Sequence, residues 1–202
     1  MEEQTRIKIC GLTRLEDIDA VNELKPEYVG FVFAKSRRQI TKEHAVTLRR
    51  YLDPEIQAVG VFVNELPAIV AGYLEEGVID LAQLHGNESE EYIHSLRFRT
   101  GGELIKAFSI KTREDVEKAK KSSADYILLD HGKGGTGESF DWSLIGNMDR
   151  PYFLAGGLNA ENVEQAILQT HPFAVDISSG VETDGVKDPK KITECIRRIR
   201  HV

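Results

Sequence analysis

With 202 residues, 41% of them hydrophobic and 29% charged, the chain has the length for one sizeable domain and the composition of an ordinary globular protein. A formal net charge of -7 argues against a nucleic-acid surface, and no apolar run approaches the roughly 18–20 residues that a membrane span needs. Two cysteines, Cys10 and Cys195, are too few for a secreted disulfide framework, and the polar start Met1-Glu2-Glu3-Gln4-Thr5 is no signal peptide, so a cytoplasmic protein with reduced thiols is expected.

Short apolar, β-branched runs alternate with amphipathic helical runs from end to end. The strands are predicted at Arg6–Gly11, Tyr28–Phe33, Ile56–Val63, Leu81–Leu84, Leu104–Phe108, Tyr126–Leu129, Tyr152–Ala155 and Ala174–Ile177. Most are apolar throughout, as strands buried on both faces must be. Between them, Leu15, Ile18, Val21 and Leu24 share a predicted helix face, as do Ile69 and Tyr73 with Ala68 and Gly72, and later Val163, Ala166 and Ile167. Cap signals stand at Thr13, Thr41, Asn64 before Pro67, Asn159, and Asp188-Pro189. The sixth unit is weakest, with only a short helical stretch near Ser143–Asn147.

Eight β-α units imply a closed parallel barrel or an open doubly wound sheet. No linker or charge block divides the chain. At about 25 residues per unit the barrel is favoured: an α/β fold, one compact (βα)8 TIM barrel spanning residues 1–202, with a short sixth helical unit. In such a barrel the chemistry sits on loops at the C-terminal ends of the strands, and the unusual residues of this chain do follow strands. Cys10 ends the first, before Gly11-Leu12-Thr13. The second runs into Lys35-Ser36-Arg37-Arg38, a plausible anion clamp, since the arginine fork matches a carboxylate. Gln83 and His85 share one face of the fourth, where a lone histidine is more often packed than catalytic; no Cys/His spacing marks a metal site. Asp130 closes the sixth, at the level of Cys10, and is a candidate general acid. The loop Gly132-Lys133-Gly134-Gly135-Thr136-Gly137 after it fits a mobile lid. It nearly matches a nucleotide P-loop, but Glu138 stands where the phosphate-binding lysine is needed.

Strands seven and eight lead into Gly156-Gly157 and Asp176-Ile177-Ser178-Ser179-Gly180. There, backbone N–H groups and hydroxyls fit the phosphate site that many barrels hold in their last two units. Cys195, among Ile192, Ile196 and Ile199, reads as core filling, and the basic cluster Arg197, Arg198, Arg200 and His201 as a solvated helix face.

With these residues in place, the chain resembles the phosphoribosylanthranilate isomerases of tryptophan biosynthesis. The resemblance is carried by Lys8-Ile9-Cys10-Gly11-Leu12-Thr13, Gly30-Phe31-Val32-Phe33 with Ser36-Arg37-Arg38, Val59 to Asn64, Gln83-Leu84-His85-Gly86, Leu128-Leu129-Asp130, Gly134 to Gly137 with Phe140-Asp141-Trp142, Ala155-Gly156-Gly157-Leu158 and Asp176 to Glu182. It implies a single (βα)8 barrel without cofactor or metal, acting on a small phosphosugar as a monomer or homodimer, with neither nucleic acid nor membrane as partner. The implied reaction is the Amadori rearrangement of N-(5'-phosphoribosyl)anthranilate to 1-(2-carboxyphenylamino)-1-deoxyribulose 5-phosphate. The resemblance makes Cys10 the general base and Asp130 the general acid. It gives the anthranilate carboxylate to Arg38, with Arg37 as the neighbouring alternative. Gly156, Gly157, Ser178, Ser179 and Gly180 take the phosphate, and Asp176 lies near the sugar. Glu138 departs from the lysine expected before Phe140. The start at Met1 fits a free-standing protein.

The acid of such a pair has to hold a proton and the base has to be a thiolate, which calls for a Cys10 pKa below the ordinary value of about 8.5. The related histidine-pathway isomerase uses aspartates as both acid and base, so Cys10 argues against it. The thiol and the short chain also disfavour a barrel serving both pathways. A non-catalytic phosphosugar-binding barrel needs neither Cys10 nor Asp130.

Overall fold

The computed structural model describes residues 4–131 and 141–202. The glycine loop after the sixth strand, with Glu138, lies outside the described residues. Eight parallel strands close into a barrel in sequence order: β1 (Arg6–Cys10), β2 (Tyr28–Val32), β3 (Gln57–Phe62), β4 (Leu81–Leu84), β5 (Glu103–Ser109), β6 (Tyr126–Asp130), β7 (Tyr152–Leu154) and β8 (Ala174–Ile177). Among the described residues seven helices lie outside it: α1 (Leu15–Leu24), α2 (Lys42–Tyr51), α3 (Pro67–Glu75), α4 (Glu90–Arg99), α5 (Arg113–Lys120), α6 (Val163–Thr170) and α7 (Pro189–Ile199). In the sixth unit the described residues hold one 3-10 turn, Trp142–Leu144, which is the short unit the sequence announces.

Because side chains alternate along a strand, each strand sends one set outward to the helices and one set into the barrel. The outward set (Ile7, Ile9, Val29, Phe31, Phe62, Leu84, Ile127, Leu129, Val175 and Ile177) joins the helix faces in the larger core cluster. The inward set forms a second cluster around Tyr28, Val59, Leu81, Ile105, Leu128 and Phe153. Tyr28, Tyr126, Phe153 and Phe173 stack there, with ring centroids 5.1–5.8 Å apart. They plug the N-terminal end of the barrel and leave polar inward residues for the other end.

Several local expectations shift. Glycine 11 lies beyond β1 with φ +84°, a conformation that costs a residue bearing a Cβ but suits glycine. The N-cap of α1 is Arg14, not Thr13: Asp17 turns back to accept from the N–H groups of both, at 2.9 and 3.1 Å. Leu15 is accordingly exposed, and the buried face is Asp17, Ile18, Ala20 and Val21. In α3 the buried pair is Val70 and Ala71, while Ile69 faces outward. That helix is apolar on both sides, so periodicity could not choose its face. Asn64 does not cap α3; it turns at φ +52° and its side chain accepts from the Asn87 N–H at 2.7 Å. Thr41 and Asp188 cap α2 and α7 as read. Asn159 caps the turn just ahead of α6, accepting from the Glu161 and Asn162 N–H groups. Cys195 is fully buried beside Ile192, Ile196 and Ile199. Arg197 and Arg198 pair with Glu194 along α7, a solvated charged face. No helix among the described residues is long and apolar enough to cross a membrane.

A candidate active site at the C-terminal mouth of the barrel

The polar end of the barrel opens into a cavity of about 1060 Å³. Cys10, Arg38, Asp130, Gly156, Gly157, Asp176, Ser178 and Ser179 all line it, together with Gln83, His85 and Lys106. Residues spread over more than 160 positions of sequence thus converge because each lies in the C-terminal half of a strand or follows one.

Cys10 is the last residue of β1 and faces inward with Lys8, two positions back. Room for its sulfur comes from Gly30, its register partner on β2: a Cβ there would lie 2.5 Å from Cys10 Sγ. Lys8 is fully buried. Its Nζ donates to Asp176 Oδ2 at 2.8 Å, across the β1–β8 register, and to Gln83 Oε1 at 2.8 Å. Burial works to lower the lysine's pKa, but the charges of Asp176 and Cys10 together raise it above the ordinary value. Lys8 is therefore an ammonium inside the barrel.

The thiol itself departs from the expectation. Burial pushes the Cys10 pKa up, and the Lys8 ammonium, opposed by Asp176 and assisted by Lys187, does not bring it below the ordinary cysteine value. The reason is desolvation: a thiolate enclosed by the barrel wall loses more hydration than two nearby cations restore.

Asp130, the last residue of β6, is also buried. Its Oδ1 accepts from the His131 N–H at 2.7 Å, and its Oδ2 lies 3.4 Å from His85 Nε2. Asp176 keeps one oxygen, Oδ1, buried and without a hydrogen-bond partner. Ser178 spends its hydroxyl proton on the Cys10 carbonyl at 3.0 Å, tying the β8 loop to the end of β1. What remains for a ligand at Ser178 is its backbone and oxygen lone pairs. Gly156 and Gly157 both have positive φ, +88° and +63°. Gly180 is not part of the cavity wall; it packs against the Leu158 carbonyl, where any side chain would collide.

Of the two arginines, Arg38 lines the cavity and is nearly buried, whereas Arg37 is more than half exposed and outside the lining. Arg38 lies over Gly11, in space that a Cβ would occupy. Its Nε and Nη2 edge is held by Glu182, at 2.6 and 2.9 Å, so Nη1 is the part of the fork left over. Glu182 also takes Arg37 Nη2 at 2.7 Å and Lys187 Nζ at 2.6 Å. Burial would raise the carboxyl's pKa, but hydrogen bonds from Arg38 and Lys187 hold it below the ordinary glutamate value. Glu182 and Lys187 belong to a two-stranded hairpin, β9 (Glu182–Thr183) and β10 (Val186–Lys187), turned by Asp184 and Gly185 with φ +53° and +79°. A third buried pair, Lys106 with Glu88 at 3.0 Å, fixes the loop after β4: the carboxylate also accepts from the Asn64 and Gly86 N–H groups.

Lys8, Glu182 and Lys187 were given no role by sequence reasoning, and Gln83 and His85 were left as packing. A signal existed for Lys8, a cation amid apolar residues on the same strand face as Cys10. None existed for Lys187, which is brought in by a hairpin too short to show a pattern. No group of three His, Cys, Asp or Glu side chains among the described residues is placed to hold a metal ion.

Comparison with known proteins shows the family of the chain. The family model described as N-(5'-phosphoribosyl)anthranilate (PRA) isomerase matches residues 7–198. The N-(5'-phosphoribosyl)anthranilate isomerase of Clostridium acetobutylicum is 48% identical, over 96% of this chain and 98% of its own. A crystal structure of monomers generated from the dimeric phosphoribosylanthranilate isomerase of Thermotoga maritima superposes with a TM-score of 0.88 at 39% identity, over 98% of this chain and 100% of that one. A phosphoribosylanthranilate isomerase structure in complex with reduced 1-(o-carboxyphenylamino)-1-deoxyribulose 5-phosphate does so with 0.86 at 39% identity, over the same shares. With the family model matched over residues 7–198 and relatives 39–48% identical over nearly the whole chain, this chain belongs to the phosphoribosylanthranilate isomerase family.

Proposed function

We propose that the barrel catalyses the Amadori rearrangement of N-(5'-phosphoribosyl)anthranilate to 1-(2-carboxyphenylamino)-1-deoxyribulose 5-phosphate, with Asp130 as acid and Cys10 as base. The observation that carries the roles is the enclosure of both groups, from strands three places apart round the barrel, in one cavity with an arginine and a pair of glycine-rich loops. The substrate has an anion at each end. Its phosphate fits the β7 and β8 loops, where Gly156, Gly157, Ser178 and Ser179 line the cavity. Its carboxylate fits Arg38, through the Nη1 that Glu182 leaves free. Arg37 lies outside the cavity, which favours Arg38 for this role.

The ribose then lies between β1 and β6. Asp130 gives its proton to the furanose ring oxygen, the C1'–O4' bond breaks and a Schiff base forms. The Cys10 thiolate removes the proton from C2', and the resulting enolamine tautomerises to the ketone. Each proton transfer contributes about 10²–10⁴-fold. The unpaired Oδ1 of Asp176 accepts a ribose hydroxyl. Lys8, beside both Asp176 and Cys10, offsets the negative charge of the base. The protein works in the cytoplasm, as a monomer or as a pair of identical chains.

The test is loss of anthranilate fluorescence when the purified protein meets phosphoribosylanthranilate generated in situ. Cys10→Ala and Asp130→Ala each abolish nearly all turnover while the fold and the binding of inorganic phosphate survive. An active Cys10→Ala protein rules out the thiolate base. Arg38→Ala raises KM for the substrate far more than it weakens phosphate binding; equal effects would mean a general electrostatic role.

A further inference from the structure

A line of hydrogen-bonding groups crosses the cavity floor from the base to the acid. The Lys8 ammonium donates to Gln83 Oε1 at 2.8 Å. Gln83 Nε2 lies 2.8 Å from His85 Nδ1, and His85 Nε2 lies 3.4 Å from Asp130 Oδ2. An ammonium has donors only, so it fixes which end of the amide it meets. With Oε1 turned to Lys8, the NH2 of Gln83 has to face the imidazole. His85 Nδ1 must then accept, and a neutral imidazole that accepts at Nδ1 carries its proton on Nε2. That nitrogen lies 3.4 Å from Asp130 Oδ2, close to the acid but not yet hydrogen-bonded to it. Gln83 is fully buried, so no water competes to turn the amide over.

We propose that His85 is a positioning residue for Asp130, locked in its Nε2–H tautomer by Gln83, whose amide is oriented by the Lys8 ammonium. The inference rests on the reading of Asp130 as the acid. When Asp130 surrenders its proton it becomes a carboxylate in a buried site, with His131 N–H on one oxygen. The His85 N–H supplies a donor to the other, and the 3.4 Å gap closes as negative charge grows there. An amide transmits orientation and not a proton, so this line is no proton wire. Its effect is to make one lysine set both halves of the site: Lys8 offsets charge at Cys10 directly and fixes the donor at Asp130 through two side chains.

The first test needs no turnover. Nitrogen-15 spectra of the histidine rings, with the His85 signals identified by their absence from His85→Gln, show Nε2 protonated and Nδ1 bare in the native protein. In Gln83→Glu, a carboxylate replaces the amide and accepts at Nδ1, so that nitrogen gains a proton. A bare Nε2 in the native protein, or an unchanged ring in folded Gln83→Glu, overturns the proposal. Because it does not depend on catalysis, this result stands even if the native protein fails to consume phosphoribosylanthranilate. In the activity arm, His85→Leu lowers kcat by about 10- to 100-fold, the range for a hydrogen bond to a charged group, with KM within about twofold. His85→Gln, which returns an N–H close to the same place, recovers most of the loss. An unchanged kcat in His85→Leu, a loss confined to KM, or no rescue by glutamine overturns the positioning role.

Discussion

Replacing Lys8 with methionine, which keeps the stem and deletes the charge, separates the two duties of that buried ammonium. The first is structural. Its partner Asp176 is itself nearly buried and already has one oxygen unsatisfied, so removing the lysine strands a carboxylate in the barrel. Breaking one side of a buried pair costs about 3–5 kcal/mol, a large part of the 5–15 kcal/mol that holds an average domain together. Lys8→Met/Asp176→Leu, which removes both charges, regains most of that loss. The second duty is electrostatic. An opposite charge close to an ionisable group moves its pKa by about 1–3 units. The Cys10 thiol, already raised by burial, therefore titrates higher still in Lys8→Met, and the thiolate fraction at neutral pH falls by about tenfold or more. The assay is the rate of alkylation by iodoacetamide against pH. Cys195 does not interfere, because burial holds its thiol up at about 12. In the native protein the rate keeps rising as pH passes 9, the ordinary value from which Cys10 is displaced upward. In Lys8→Met the whole curve moves to higher pH. Lys8→Met/Asp176→Asn moves it part of the way back, since the Asp176 charge also raises the thiol. If folded Lys8→Met, checked by circular dichroism, shows the native alkylation profile, the argument that Lys8 governs the base is wrong.

Other perturbations test the surroundings of the site. Gly30→Ala places a methyl 2.5 Å from Cys10 Sγ and 3.0 Å from Cys10 Cα. It lowers stability by about 1–3 kcal/mol through overpacking and depresses kcat more than tenfold by displacing the sulfur; native kcat in this variant contradicts the placement. Glu182→Gln removes the carboxylate that buried Lys187 and Arg38 share, and lowers stability at neutral pH by about 3–5 kcal/mol in denaturant titrations. Because the folded pKa of Glu182 is depressed, its contribution is fully present above pH 4.5 and is lost as pH falls through the folded value. The variant's stability should accordingly vary less with pH on the acid side; an unaltered acid limb refutes the linkage. Glu182→Gln also loosens Arg38, raising KM for the substrate with little effect on inorganic phosphate binding.

What was legible in the sequence was what alternation and punctuation encode. The eight strands are buried on both faces, so most read as a continuous apolar run, and their order in the closed barrel is their order in the chain. Cys10, Asp130, Gly156, Asp176 and Ser178 were visible as candidates because each interrupts such a run at its end, and the fold brings strand ends to one mouth. The choice between helix faces was not legible where both sides are apolar, as in α3, nor was the cap of α1, because Asp17 does its work from inside the helix. The ionisation of Cys10 was misjudged for a physical reason. A role demands a thiolate, but a pKa follows from desolvation and fixed charges, and these appear only once the barrel closes over the residue.

The partners that govern Cys10 and Asp130 illustrate the same limit from the other side. Lys8 meets Gln83 75 residues away and Asp176 168 residues away, distances over which no local pattern reports. Barrel closure supplies them: β1 pairs with β8 at Lys8 and Asp176, and inward parity aims Gln83 and His85 from β4 and its loop toward the centre. A parallel barrel thereby gives the proposed acid and base, on separate strands, a common cation without any strand bending. The apparent conflict between a raised thiol and a thiolate base resolves in the same terms. Burial that disfavours a free thiolate also strips it of water, so the small fraction formed is a stronger base toward a carbon-bound proton than a hydrated thiolate is. Lys8 keeps that fraction from vanishing, and Gln83 carries the orientation it imposes across to the acid.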